Sequence, residues 1–157
     1  RLQVEHPITE MVTGIDLVRE QLRVAMGEEL GYKQKNVEFN GVAIECRINA
    51  ENPDDDFRTC PGRITDYFQP GGPGVRVDTH VCCGYQVPPF YDSMVAKLIV
   101  HEKTRPEALK CLRRALTEYR IEGIPTSISF YREIIQHGGY INGEFDIKFV
   151  QEYLESR

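Results

Sequence analysis

The first eleven residues, RLQVEHPITEM, bring a cation, an amide and a carboxylate close together. Side chains alternate between two faces along a strand, so a strand here places Arg1, Gln3 and Glu5 on one face. Pro7 removes a backbone donor and predicts that this strand ends near residue 6. A guanidinium can bind a small planar anion through two hydrogen bonds, and a carboxylate can accept its proton. We interpret the row as a candidate anion site, with an exposed polar strand face as the alternative.

Composition indicates an ordinary soluble globular protein of 157 residues, 41% hydrophobic and 27% charged. The net charge of -5 argues against a nucleic-acid partner. No apolar run approaches the roughly 20 residues of a membrane span, and the start has no signal-peptide pattern. We expect a cytoplasmic protein without a membrane partner, or one whose targeting segment lies outside this sequence. Because the chain opens on a charged strand without Met, we also expect residue 1 to be a cut point.

The cysteines form an odd, scattered set without a CxxC pair: Cys46, Cys60, Cys82, Cys83 and Cys111. Such a set is not typical of a disulfide framework or a zinc site. We expect reduced, partly buried thiols.

Two elements are predicted to position the polar start. A helix over about 16–28 follows it, with Val18, Leu22 and Ala25 on its buried stripe. The polar stretch at 32–36 is typical of a linker, which predicts a domain boundary near residue 35. A strand over 41–50 then carries a second polar row, whose members are Glu45, Arg47 and Asn49.

The remaining pattern predicts short strands and helices without regular βαβ alternation, which indicates an α+β fold. A strand at 63–69 and a return strand at 75–79 are expected to form a hairpin around a Pro-Gly turn. An apolar strand at 94–100 contains one charge, Lys97, which should lie at an edge or reach a partner. A capping box at Thr104 and Glu107 predicts a helix to about residue 119. The pattern then predicts a short strand at 119–122, a helix capped by Thr126 and ending at Gly138-Gly139, and a helix over 147–155 that buries Phe149, Val150 and Leu154.

Several motifs together resemble the biotin carboxylase family: residues 1–11, ECRINAEN at 45–52, Pro61-Gly62, Pro70 to Gly72, and VPPFYDSMVAKLI at 87–99. They occur in the family's order across essentially the whole chain. The chain is similar to the C-terminal third of the biotin carboxylase subunit of acetyl-CoA carboxylase, or the equivalent domain of pyruvate or propionyl-CoA carboxylase. The resemblance implies a remnant of the ATP-grasp domain over 1–35. It also implies a C-terminal biotin carboxylase domain over 36–157, with antiparallel, barrel-like strands and helices.

The resemblance implies that the anion is bicarbonate. Arg1, Gln3 and the backbone N–H of Val4 would bind bicarbonate, and Glu5 would be the base that removes its proton. Arg47 would stabilise the biotin enolate, so the two polar rows would meet over one substrate. Both steps build negative charge, which fixed guanidinium groups stabilise without reorganising.

Two further residues match the family with smaller roles. Asp92 corresponds to an aspartate near the biotin site, although a turn formed by Asp92-Ser93 is the local alternative. Arg76 corresponds to an arginine of a homodimer interface. The family uses ATP, Mg²⁺ (or Mn²⁺) and biotin, and its partners are a biotin carboxyl carrier protein or domain and a carboxyltransferase.

The resemblance places the family's ATP-binding lysines and metal ligands before Arg1, so it implies no metal ligand in this chain. We therefore expect the isolated chain to be inactive. One competing hypothesis is a module that only dimerises or docks the carrier, which sedimentation and a pull-down with biotinylated carrier would distinguish. Another ATP-grasp enzyme, such as a carbamoyl-phosphate synthetase or purine carboxylase, fits residues 45–52 and 91–94 less well. The sequence leaves the final carboxyl acceptor open.

Overall fold

The computed structural model describes residues 1–156, which form a mixture of helices and short antiparallel strands. The helices are α1 (Pro7–Thr13), α2 (Leu17–Ala25), α3 (Arg105–Glu118), α4 (Ile128–Ile134), α5 (Gly138–Asn142) and α6 (Phe149–Glu155), with a 3₁₀ turn over Gln34–Asn36. The strands are β1 (Val42–Asn49), β2 (Glu51–Asn52), β3 (Arg58–Thr59), β4 (Gly62–Arg63), β5 (Asp66–Phe68), β6 (Val75–Thr79), β7 (Gln86–Val87), β8 (Met94–Glu102) and β9 (Arg120–Glu122). This content confirms the predicted α+β class.

A three-stranded antiparallel sheet, in the order β1-β8-β6, is the main sheet of the described chain. The other strands form three separate pairs, β2-β3, β4-β7 and β5-β9, and residues 1–156 contain no closed barrel. Alternation gives the sheet two different faces. The apolar face contributes Ile44, Cys46 and Ile48 from β1, opposite Val100, Leu98 and Ala96 from β8.

Helix α3 covers the apolar face and completes the core. Its buried positions include Ala108, Leu112 and Leu116, which recur at helical spacing. The capping box is also confirmed, because Thr104 Oγ1 accepts from the Glu107 amide and Glu107 accepts from the Thr104 amide. The opposite face of the sheet is polar and lies against α1. Cys46 belongs to the core, and burial raises the pKa of its thiol to about 12.

The predicted hairpin between 63–69 and 75–79 is wrong. Strand β6 pairs with β8 in the main sheet, whereas β5 pairs with β9. Gly72 and Gly74 both have positive φ, which glycine adopts without strain, so the turn directs the chain away from β5. The Gly74 carbonyl instead accepts a hydrogen bond from the His101 amide, at 2.9 Å. The Pro-Gly turn therefore predicts correctly that the chain changes direction, but it does not predict which strand pairs with β6.

Lys97 lies on the central strand of the main sheet, so its prediction as an edge residue is wrong. The alternative part of that prediction holds, because Lys97 Nζ reaches the carboxylate of Asp78 on β6, at 3.5 Å. A charge is tolerated on a central strand because this face of the sheet is polar.

Several helix boundaries and buried faces differ from the sequence expectation. Helix α2 stops at Ala25, and Val18 and Leu22 are 55% and 61% exposed rather than buried. Helix α4 follows Ser127 instead of Thr126, because Ser127 is held by β1. Gly138-Gly139 begins α5 instead of ending α4, and α6 starts at Phe149. In α6, Val150 is 43% exposed, while Phe149 and Leu154 are only partly buried.

Within residues 1–156, none of the helices combines the length and the apolar character that a membrane span requires.

Candidate functional site

Arg47 is positioned by the polar face of β1. It lies directly opposite Lys97 in the β1-β8 register. Its backbone carbonyl accepts two hydrogen bonds from the region of α4, from Ser127 Oγ at 3.1 Å and from Tyr131 Oη at 3.0 Å. Ser127 is buried, and its Oγ also accepts from the Asn49 amide at 3.0 Å. The backbone at Arg47 is therefore fixed, while its side chain points to the polar face.

The segment before α1 is not the predicted strand. Residues 4–6 form a turn, in which the His6 amide donates to the Gln3 carbonyl at 3.3 Å, and α1 begins at Pro7. Proline is favoured in the first helical turn because its missing N–H needs no partner there. The predicted alternation of exposure nevertheless persists, since Arg1, Gln3 and Glu5 are exposed.

Glu5 and Arg47 form an ion pair across 42 residues of sequence, with 3.1 Å between Glu5 Oε2 and Arg47 Nη2. Both side chains are 50% exposed. An ion pair this exposed contributes little to stability, so a ligand can separate it at small cost. The pair places a carboxylate that can accept a proton beside a cation that can stabilise negative charge.

The other predicted anion-binding groups are near Glu5 in sequence but are not gathered around the pair. The hydrogen bond of the Arg1 side chain goes to the Leu2 carbonyl, at 3.4 Å. Among residues 1–156, the side chains of Arg1 and Gln3 make no hydrogen bond or ion pair with Glu5 or Arg47. The structure therefore brings together Glu5 and Arg47, while the roles of Arg1, Gln3 and Val4 stay predictions.

Asp92 lies on an exposed loop beside the end of β1. Its carboxylate accepts from the Met94 amide at 2.8 Å, which is the turn that the sequence offered as its local role. The next residue, Ser93, hydrogen-bonds to Glu51, and its carbonyl accepts from the Ala50 amide at 2.8 Å. These contacts place the loop just past the C-terminal end of β1, the strand that carries Arg47.

A charged network that the sequence did not predict continues across the polar face. Arg76 on β6 donates to Asp78 at 2.8 and 2.9 Å and to Glu10 of α1 at 2.7 Å. Its partners are thus carboxylates of its own chain, and its predicted role in a homodimer stays a prediction. Lys97 was the one visible signal in the sequence, as a lone charge in an apolar strand. Arg76, Asp78 and Glu10 become neighbours of Lys97 only when the strands pair and α1 packs on the sheet.

The pKa shifts of this network follow from burial and charge. Burial raises the pKa of Asp78, but hydrogen bonding and the charges of Arg76 and Lys97 outweigh that effect and lower it overall. The hydrogen bond from Arg76 to Asp78 raises the pKa of the guanidinium. Burial raises the pKa of Glu45, although Lys97 and Arg47 oppose the shift.

No group of three or more His, Cys, Asp or Glu side chains in residues 1–156 could hold a metal ion. The described residues therefore do not fit a magnesium site of their own. All five cysteines are free thiols; Cys46 and Cys111 are buried, and Cys82 and Cys83 are exposed.

Comparison with known families matches residues 45–152 to the family described as "Biotin carboxylase C-terminal domain". The chain belongs to the biotin carboxylase family. Residues 1–33 separately match "Carbamoyl-phosphate synthase L chain, ATP binding domain". The resemblance inferred from the sequence motifs is thereby confirmed.

Two similar proteins illustrate the relationship. Biotin carboxylase 1 of Bacillus subtilis is 56% identical over 153 residues, which cover 98% of this chain and 34% of that protein. A pyruvate carboxylase subunit of Methanothermobacter thermautotrophicus is also 56% identical over 153 residues, covering 98% of this chain and 31% of that protein. The chain thus spans about a third of the length of the curated relatives it matches.

A solved structure shares the fold almost throughout. The biotin carboxylase domain dimer of Hydrogenobacter thermophilus 2-oxoglutarate carboxylase, in complex with MgADP, ADP and bicarbonate, has a TM-score of 0.97 and 43% sequence identity. The match covers 99% of this chain and 34% of that chain. The fold prediction is confirmed by this similarity.

Proposed function

We propose that this chain is part of an ATP-dependent biotin carboxylase, which activates bicarbonate as carboxyphosphate and carboxylates N1′ of carrier-bound biotin. The observation that carries the proposal is the Glu5–Arg47 pair, which joins a potential base to a cation across 42 residues of sequence. Family membership and the bicarbonate complex of the Hydrogenobacter relative support it.

In this proposal Glu5 is the base that removes the proton of bicarbonate. Arg1, Gln3 and the Val4 amide bind the anion, which requires a modest rearrangement of the exposed segment before α1. Arg47 stabilises the negative charge that develops on biotin, a substrate presented by the carrier, with Asp92 on the neighbouring loop. Removing the proton and building the charge both depend on separating the exposed ion pair, which costs little.

The domain division remains part of the proposal. Residues 1–35 are the end of an ATP-grasp domain, and 36–157 are the C-terminal biotin carboxylase domain. The separate family matches over 1–33 and 45–152 support this division. ATP with Mg²⁺ or Mn²⁺ would supply the phosphoryl group that activates bicarbonate, and residues outside this chain would hold it.

The partners are a biotin carboxyl carrier protein or domain, a carboxyltransferase and a second biotin carboxylase subunit, with Arg76 near the dimer contact. The dimer of the Hydrogenobacter relative supports the last of these partners. We assign the parent to acetyl-CoA carboxylase and fatty acid biosynthesis. A pyruvate carboxylase is the second candidate, because the Methanothermobacter relative is as similar to this chain as the Bacillus biotin carboxylase is.

The test uses the full-length protein, or a chimera in which this chain replaces the matching third of the Bacillus relative. Arg47→Ala should lower biotin carboxylation about a hundredfold, because it removes a fixed charge from the transition state. Bicarbonate-dependent ATP hydrolysis should fall much less. Glu5→Gln should lower both activities, because bicarbonate would keep its proton.

The matched control is Arg113→Ala, which removes an exposed arginine of α3 and should leave both activities unchanged. Normal ATP hydrolysis in Glu5→Gln would show that Glu5 is not the base. Equal loss of both activities in Arg47→Ala would contradict a specific role toward biotin.

A further inference from the structure

Glu45 is a charged residue of the polar face that the proposed reaction does not use. It precedes Arg47 by two positions on β1, so both side chains lie on the same face of the strand, about 6.6 Å apart along it. Lys97 lies opposite Arg47 on β8, and Asp78 lies opposite Lys97 on β6. Two cations and two carboxylates thus alternate across three neighbouring strands.

One oxygen of the Glu45 carboxylate lacks a partner. Glu45 Oε2 is inaccessible to solvent and accepts no hydrogen bond from any group in residues 1–156. An unsatisfied buried acceptor is usually costly, and more so when the group is charged. Lys97 and Arg47 provide nearby positive charge, but both are paired elsewhere, with Asp78 and Glu5. The free oxygen is therefore a vacant acceptor within the electrostatic reach of Arg47.

We propose that Glu45 is a positioning residue, which receives the guanidinium of Arg47 when Glu5 leaves it to act on substrate. The inference rests on the proposed biotin carboxylase function and assigns a role within that same site. In this inference the Arg47 side chain has two states. Its guanidinium is paired with Glu5 in one and hydrogen-bonded to Glu45 in the other.

The exchange answers a physical requirement of the reaction. The Arg47 guanidinium occupies Glu5 Oε2, so it must move away before that oxygen can accept a proton from the substrate. A released arginine would otherwise lose its orientation, because its long side chain has many rotamers. Glu45 restores one orientation through a charge-assisted hydrogen bond. The starting pair is half exposed, so separating Glu5 from Arg47 costs little free energy.

Lys97 and Asp78 support the exchange from the neighbouring strands. Burial raises the pKa of Glu45, and the charge of Lys97 opposes this rise, so Lys97 favours the ionised form that can bind Arg47. The ion pair between Lys97 and Asp78 keeps the ammonium group on β8 in place, at 3.5 Å. The positive charge of Lys97 therefore offsets the negative charge of Glu45, while Arg47 remains the cation that acts on the substrate.

The test is Glu45→Gln in the full-length protein or the chimera with the Bacillus relative. This variant keeps the shape of the side chain and removes its charge. The kcat of biotin carboxylation should fall about tenfold, the effect of losing one charge-assisted hydrogen bond, while the KM for ATP stays unchanged. Glu45→Asp keeps the charge and should recover most of the rate. The matched control is Glu122→Gln, an exposed strand glutamate of the separate β5-β9 pair.

A double-mutant cycle separates positioning from a merely structural role. In an Arg47→Ala background, Glu45→Gln should change the rate less than about twofold, because its effect passes through Arg47. A tenfold loss in that background, an equal loss in Glu45→Asp, or a normal rate in Glu45→Gln would each overturn the inference. If the unmutated protein fails to carboxylate biotin, the proposed function fails, and this inference fails with it.

Discussion

Ser127→Ala should destabilise the purified chain by about 2 kcal/mol. Ser127 Oγ joins α4 to β1 by accepting from the Asn49 amide at 3.0 Å and donating to the Arg47 carbonyl at 3.1 Å. Alanine removes both bonds, but the Arg47 carbonyl keeps the hydroxyl of Tyr131, at 3.0 Å. The main cost is therefore one unpaired amide at Asn49, which is worth about 1–3 kcal/mol. For a chain of this length, 2 kcal/mol corresponds to a fall in Tm of about 4–8 °C.

The assay is reversible urea unfolding followed by circular dichroism, with thermal melts as a second measurement. Ser129→Ala is the matched control, since Ser129 is exposed on the same helix and should change the free energy of unfolding by less than about 0.5 kcal/mol. Equal stability of the Ser127 and Ser129 variants would refute the claim that this hydroxyl fixes the backbone of Arg47. In the full-length protein, Ser127→Ala should also lower biotin carboxylation, because the base of the Arg47 side chain would gain freedom.

Two further predictions concern charge and activity. The folded pKa of Asp78 is lowered from its ordinary 3.8, so its stabilising effect is present above that value and is lost as pH falls through the folded pKa. Asp78→Asn should therefore unfold more easily than the unmutated chain at pH 7, with the difference narrowing below about pH 4; a constant difference down to about pH 2 would contradict this reasoning. The isolated chain should show no bicarbonate-dependent ATP hydrolysis, because it spans about a third of the length of its relatives and the proposed ATP-binding residues lie outside it. Activity above that of a heat-denatured sample, measured by phosphate release, would show that this expectation is wrong.

Capping residues and hydrophobic patterns predicted the helices and strands whose formation depends mainly on residues close in sequence. The α3 helix follows from its capping box and its apolar spacing, β1 follows from period-2 alternation, and β8 follows from its apolar run. The polar row containing Glu45 and Arg47 was also visible, because alternation alone assigns faces. Local physics was insufficient at residues 1–6, where Pro7 starts a helix instead of merely ending a strand.

Long-range pairing decided the features that the sequence did not predict. The turn before Val75 is consistent with a hairpin, but β6 gains a longer partner in β8 than β5 offers. Lys97 could not be matched with Asp78 without that register. Val18 and Leu22 form an apolar stripe along α2, as their spacing predicted. Both side chains remain exposed, because no described element covers them. Only the family resemblance placed Glu5 and Arg47 at one site, and their ion pair was not predicted, since 42 residues separate them in sequence.

The carboxylate of Glu10 affects how readily the Glu5–Arg47 contact forms. Its two oxygens accept from the Leu17 amide at 2.9 Å and from Arg76 at 2.7 Å, which holds α1 to the start of α2 and to β6. Without such an anchor, the contact would close a loop of 42 residues. With α1 held, only the few residues between Glu5 and Glu10 remain to be ordered. The loop-closure entropy then falls by about 2 kcal/mol, so Glu10 preorganises the pair from outside the site.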